Sequence, residues 1–381
     1  MRLSEQFIED GLALLRQLIQ CPSVNSRIEG GTGEYAVAQV LKHWLQSRGV
    51  SSDIQQVGPR TWNLVAHVST SSGSPRIVLC SHLDTVSAPY KDAFIAKIRH
   101  GFVSGRGSVD AKASVALFAT LLARAVEYPA AWNITLAAVG DEEVSGSGAR
   151  YFLERDHDFD MAIIGEPTNN RLVTAHKGVL RFDVILSGRA AHSSVPDQGI
   201  NSLAGGVELI QHFLRWHNEA EWPNDPVLGQ PTLTPTRFVS GIGDNIVPSE
   251  ARITFDRRTV PPEDANLLFE KMVAQGQRVR LPTELRVEWR KGITIPWFMV
   301  PSNASIVRLM QEALIYVGMD ANPIGMAYGS DAWQFAKIGI ECVIFGPGNI
   351  YLAHSKEEAL LIDEWCQASN VLQRLLWTPS L

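Results

Sequence analysis

The 381-residue chain has only four cysteines, Cys21, Cys80, Cys342 and Cys366, and no C-x-x-C pair among them. That scarcity argues against a disulfide frame or a thiolate metal site and fits reduced thiols in a cytoplasmic protein. No apolar run approaches the length of a membrane-spanning helix. Residues 1–20 lack the basic start and continuous apolar core of a secretion signal. A soluble protein with no membrane partner is therefore expected. Nor is basic charge in excess: 34 Lys and Arg against 40 Asp and Glu leave a net charge of -6, a poor match for a nucleic-acid surface. Internal repeats and low-complexity tracts are missing too. What remains is the composition of an ordinary globular protein, in a chain long enough for two domains.

The segment Arg76 to Val86, RIVLCSHLDTV, organises the rest. Its short β-branched run predicts a strand buried on both faces of a parallel sheet. His82 and Asp84 stand two apart at the carboxyl end, on one side of an extended chain, at the edge where open α/β sheets bind ligands. An isolated H-x-D is more often a strand cap; its sequel reverses that judgement. Asp110 sits where a glycine-containing loop (GFVSGRGSVDAK) becomes an Ala- and Leu-rich helix. Gly105 and Gly107 invite a dinucleotide loop, but the third glycine and the acidic ribose partner are missing. Strands over 133–139 and 161–164 end in Asp141-Glu142-Glu143 and in Gly165-Glu166. His354 follows a last short strand over 341–345.

Carboxylates gathered at one sheet edge repel one another unless cations compensate them. A pair of divalent ions, held by His82, Asp110, Glu143, Glu166 and His354, is the economical explanation. Glu142 and Glu143 are neighbours facing opposite ways, so one can bind metal while the other serves a water as general base. Zinc suits such donors, with cobalt able to substitute.

H-x-D, G-x-x-D-x-K (residues 107–112), D-E-E, G-E-P-T and A-H (Ala353, His354) occur in this order. Together they resemble the M20 family of di-zinc metallopeptidases and deacylases, over almost the whole chain. The resemblance implies Asp110 as bridging ligand, Glu142 as base with Asp84 supporting catalysis, and Glu143 and Glu166 as terminal ligands. GPGNIYLAH and GRAAHSSVPDQGIN are most similar to acetylornithine deacetylase-type enzymes. That implies an N-acyl amino acid substrate and a place in arginine biosynthesis. Succinyl-diaminopimelate desuccinylases and exopeptidases acting on short peptides share the same chemistry.

The texture changes at His176, where alternating strands and two amphipathic helices form a compact α+β insertion. The expected fold is α/β: a catalytic domain of residues 1–177 and 293–381, built on a mixed, largely parallel sheet flanked by helices. An inserted α+β lid of residues 178–292 forms a homodimer in the family. The likeness makes His192 an oxyanion donor offered by the partner's lid. It makes Arg258 and Asn245 holders of the substrate's carboxylate end, with Gly329 and Ser330 lining the same pocket and Lys177 a weaker match. His157, His212 and His217 fit no motif and are expected at the surface.

Overall fold

A computed structural model describes residues 4–378. The chain divides into two compact units, one of Met1–Thr174, Met299–Ile324 and Ser330–Leu381, the other of Ala175–Phe298 and Gly325–Gly329.

The first unit opens with helix Glu5–Gln20, whose N-cap Ser4 accepts a hydrogen bond from the Phe7 amide. Its buried face carries Phe7, Leu14, Leu15, Leu18 and Ile19, the 3.6-residue periodicity read from the sequence. The part of the central sheet that carries the site runs Ser52–Gly58, Thr61–Val68, Asn133–Val139, Arg76–His82, Met161–Ile164, Glu341–Ile344. The first three strands pair antiparallel and the others parallel, so the sheet is mixed and largely parallel, as expected. Arg76–His82 is buried along all its length past Arg76. His82 pairs with Val139, Cys80 with Ile164 and Ile164 with Ile344. That register sends the loops after all four parallel strands out of one edge, where ligand sites of open α/β sheets are built.

The second unit is an antiparallel sheet in the order Thr232–Ser240, Glu250–Thr259, Gly178–Ser187, Arg286–Ile295. Helices Ser202–Glu219 and Ala265–Gly276 contribute to its core around Phe182, Phe213 and Phe255. Strand Arg286–Ile295 is an edge whose apolar alternation, Val287, Trp289, Ile293 and Ile295, is interrupted at Lys291 and masked by the charges of Arg286, Glu288 and Arg290, so the sequence pattern did not mark it. Two surface expectations are corrected here: His212 is half-buried with its Nε2 enclosed, and His217 is half-buried, its Nδ1 3.1 Å from a guanidinium nitrogen of the fully buried Arg257. Among the described residues no helix is long and apolar enough to cross a membrane.

Candidate metal centre

Four loops from the parallel edge of the first unit bring five side chains into two overlapping groups. His82, Asp110 and Glu166 form one; Asp110, Glu143 and His354 form the other. Asp110 belongs to both, with one oxygen turned to each. Its Oδ1 lies 3.0 Å from His82 Nε2, and its Oδ2 lies 3.1 Å from His354 Nε2. His354 Nε2 is also 3.1 Å from Glu143 Oε1, and Glu166 Oε2 is 4.0 Å from His82 Nε2. Glu142 falls in neither group. Non-glycine residues of these loops stand in the left-handed region, among them Asp141 at φ 65° and His354 at φ 61°. Such conformations persist where the surroundings impose them, commonly at functional sites.

His82 Nδ1 lies 2.9 Å from the main-chain oxygen of Asp84. A carbonyl can only accept, so Nδ1 carries the proton and Nε2 is left facing Asp110 and Glu166. The Asp84 carboxylate stands behind the histidine, its nearest oxygen 3.6 Å from Nδ1, and helps to raise the imidazole, while its shorter hydrogen bonds go elsewhere. Oδ1 accepts the Glu142 amide at 3.1 Å, and Oδ2 accepts the Glu143 amide at 3.1 Å and Asn25 Nδ2 at 2.7 Å. Successive amides at the Asp141 turn converge on an anion, as in other backbone anion cradles. Asn25 also reaches Asp141 Oδ1 at 3.1 Å, and Gln334 Nε2 holds the Gly146 carbonyl at 2.8 Å. The loop bearing Glu142 and Glu143 is therefore fixed from both sides.

Three carboxylates of the two groups meet only two imidazoles, and among the described residues no Lys or Arg pairs with them. Burial pushes the Glu166 and Glu142 carboxyls well above the ordinary range, with further help from neighbouring carboxylates. Burial also opposes ionisation of Asp110, but hydrogen bonds from His354 and His82 hold its carboxyl below that range. The Asp110 and Glu143 carboxylates in turn raise His354 to about 10 against its burial. Such a cluster demands positive charge, which protons on the imidazoles or bound cations can supply. Nitrogen and oxygen donors so arranged fit divalent cations, whose binding would displace those protons.

The other predicted residues lie mostly in the second unit. His192 is exposed on a two-stranded ribbon, Ala191–His192 against Ile246–Val247. Its Nδ1 is 2.7 Å from Ser194 Oγ, and the Asn245 carbonyl accepts the Ser193 amide beside it. Arg258 Nε donates to Asp256 Oδ1 at 2.8 Å, while Lys177 Nζ donates to the Gln230 carbonyl at 2.6 Å. Gly329 lies in the short segment of this unit that stands against Ile295. Ser330 belongs to the first unit, buried, with its Oγ accepting the Ala332 amide. Sequence reasoning missed Asn25, Arg106 and Glu358. Only Glu358 left a clue, lying four residues beyond His354.

Residues 78–378 match the model of "Peptidase family M20/M25/M40". The acetylornithine deacetylase of Proteus mirabilis is 29% identical, over 91% of this chain and 91% of the relative. A probable carboxypeptidase of Aspergillus terreus is 27% identical, over 96% of this chain and 85% of the relative. Among solved structures, an M20 family metallo-carboxypeptidase from Sulfolobus solfataricus superposes with a TM-score of 0.79 at 18% identity, covering 100% of both chains. The chain belongs to peptidase family M20/M25/M40 and is a hydrolase of amide bonds from a metal-dependent family.

Proposed function

We propose that this enzyme removes the acyl group from an N-acyl amino acid, in the manner of an acetylornithine deacetylase, with two zinc ions that cobalt can replace. The observation that carries the reading is the pair of donor groups sharing Asp110, with Glu142 close by yet in neither. His82, Asp110 and Glu166 would hold one ion, and Asp110, Glu143 and His354 the other. Bound there, two divalent ions would supply Lewis acidity and a lowered pKa for water. Glu142 takes that water's proton and returns it to the leaving amine. Its raised carboxyl suits a group that must carry a proton between two partners. Asp84 serves by holding the Glu142 and Glu143 amides.

His192 is assigned as donor to the developing oxyanion, from the second unit of a partner subunit. Arg258, with Asn245, Gly329, Ser330 and a supporting role for Lys177, is assigned to the substrate's carboxylate end, where a guanidinium fork suits the charge. In this proposal the second unit contains the lid and dimerisation domain expected over residues 178–292. Edge strand Thr232–Ser240 exposes Val239, and helix Ser202–Glu219 exposes Leu203, Val207 and Leu214 on one side. An unpaired edge beside an apolar helix face suits a two-fold homodimer. The reading places the enzyme in the cytoplasm and in arginine biosynthesis.

The test is a hydrolysis panel of N-acetylornithine, N-acetylcitrulline, N-succinyl-diaminopimelate and dipeptides on zinc- and cobalt-loaded protein. A preference for N-acetyl amino acids supports the proposal. Preference for dipeptides would favour an exopeptidase, a reading encouraged by the carboxypeptidase relative of similar identity. Mixing His192→Ala with Glu142→Ala subunits should restore activity, because one site of each heterodimer then keeps both groups. Mixtures that exchange subunits yet stay inactive would remove His192 from the partner's site.

A further inference from the structure

We propose that Glu358 is a positioning residue that sets Asp110 between the two donor groups, with Arg106 as its counter-charge. The inference rests on the reading of Asp110 as the shared ligand. Glu358 is only 1% exposed and Arg106 only 2%. One oxygen of Glu358, Oε1, accepts the main-chain amides of Val109 at 3.0 Å and Asp110 at 3.3 Å. The other, Oε2, pairs with a guanidinium nitrogen of Arg106. The Glu358 carbonyl accepts the Gly105 amide at 3.2 Å, and the strand that follows, Ala359–Leu361, pairs with Phe102–Ser104. Glu358 thus grips the loop of Asp110 at both ends of the run from Gly105 to Asp110.

The same short segment carries His354 four residues earlier. Glu358 therefore ties the loop of the shared carboxylate to the loop of one imidazole. A carboxylate whose two oxygens must serve different ions tolerates little rotation, and rotation is governed by the backbone at its own Cα. Holding that backbone by its amides leaves both side-chain oxygens free to face His82 and His354. Glu358 belongs to neither donor group, so its action runs through Asp110. The buried charge of Arg106 balances that of Glu358, leaving a brace that does not compete for cations.

Metal affinity, measured by chelator competition on initially metal-free protein, distinguishes this role from fold stabilisation. Outer partners of ligands commonly affect affinity by about 10–100-fold. Glu358→Ala should weaken binding of both ions within that range, because the ligand disturbed is shared. Glu358→Gln, which keeps an acceptor for the two amides, should recover most of the affinity. If Glu358→Ala does not fold, Glu358→Asp is the substitute: it can pair with Arg106 but falls one methylene short of the amides, and should lose at least about threefold. The visible spectrum of the cobalt-loaded variant should change band position, which a merely less stable protein would not show. Affinities within threefold of wild type, with a lowered melting temperature, would overturn the proposal. Asp110→Asn is the control for the underlying reading. If it leaves binding of both ions unchanged, the shared-ligand assignment fails whatever Glu358 does.

Discussion

Asp84→Asn separates two accounts of the H-x-D motif. The carboxylate serves three donors with two oxygens: the Glu142 amide at Oδ1, and the Glu143 amide and Asn25 Nδ2 at Oδ2. An asparagine has one oxygen. Placed at the Oδ2 position it keeps two donors, but its NH2 then confronts the Glu142 amide, leaving a buried donor unpaired. An unpaired buried donor costs about 1–3 kcal/mol, and losing the charge from the other two bonds costs roughly 1 kcal/mol each. The expected loss is about 3–5 kcal/mol, or a fall in melting temperature of about 6–20 °C in a unit of this size. Calorimetry and urea titration of metal-free protein would read it. Turnover should drop far more than affinity for the His82-side ion, since His82 is held through the Asp84 main chain, while a shift of Glu142 by about 1 Å costs near 100-fold. Were the carboxylate acting chiefly on the imidazole, metal affinity would fall and stability would hardly move. A variant stable to within about 0.5 kcal/mol of wild type would refute the loop-holding account.

Gly346→Ala should weaken the ion proposed at Glu166 and lower stability, because its Cβ would meet the Glu166 carbonyl at 2.6 Å; unchanged metal content after dialysis would count against this contact. Glu34 is buried, its carboxyl pushed up to about 8 by burial and by Asp84. The folded chain thus binds a proton that the unfolded chain has released, so stability should fall as pH rises from 4.5 to about 8 and level off above. Glu34→Gln should flatten that fall by at most about 5 kcal/mol at about 1.36 kcal/mol per pH unit, and parallel stability curves for variant and wild type would refute it. Lys112 Nζ donates to the Leu18 and Cys21 carbonyls at the end of the first helix. Lys112→Met should cost about 1–3 kcal/mol in urea titrations by orphaning them, and a neutral result would mean that water replaces the ammonium.

The parallel strands were legible because burial on both faces forces continuous apolar runs such as Ile77 to Cys80. Their carboxylates were legible because each follows its strand within a few residues. Strand Ser52–Gly58 left no such trace: it is an edge carrying Asp53, Gln55 and Gln56. The motif lysine, Lys112, was visible as a letter and opaque as a role, since its partners lie about ninety residues earlier. Asn25 escaped for the same reason. Its two carboxylate partners stand 59 and 116 residues away, and a lone Asn after a helix carries no local pattern. Asp84 shows a subtler limit: the spacing marked it correctly as a neighbour of His82, but only the fold assigns its oxygens to the amides of Glu142 and Glu143.

The two donor groups also differ in when they come into being. His82, Asp110 and Glu166 lie within the first 166 residues, whereas the other group lacks its imidazole until His354. The 188 residues from 167 to 354 include all of the second unit. At about 5–20 residues per second of synthesis, a nascent chain carries one complete set of donors for roughly 10–40 s before the other exists. During that interval Glu143 and Asp110 are anions without their His354 partner, and Glu358 has not yet arrived to grip the Asp110 loop. Synthesis therefore completes the two donor sets in sequence, the His82 set first and the His354 set last.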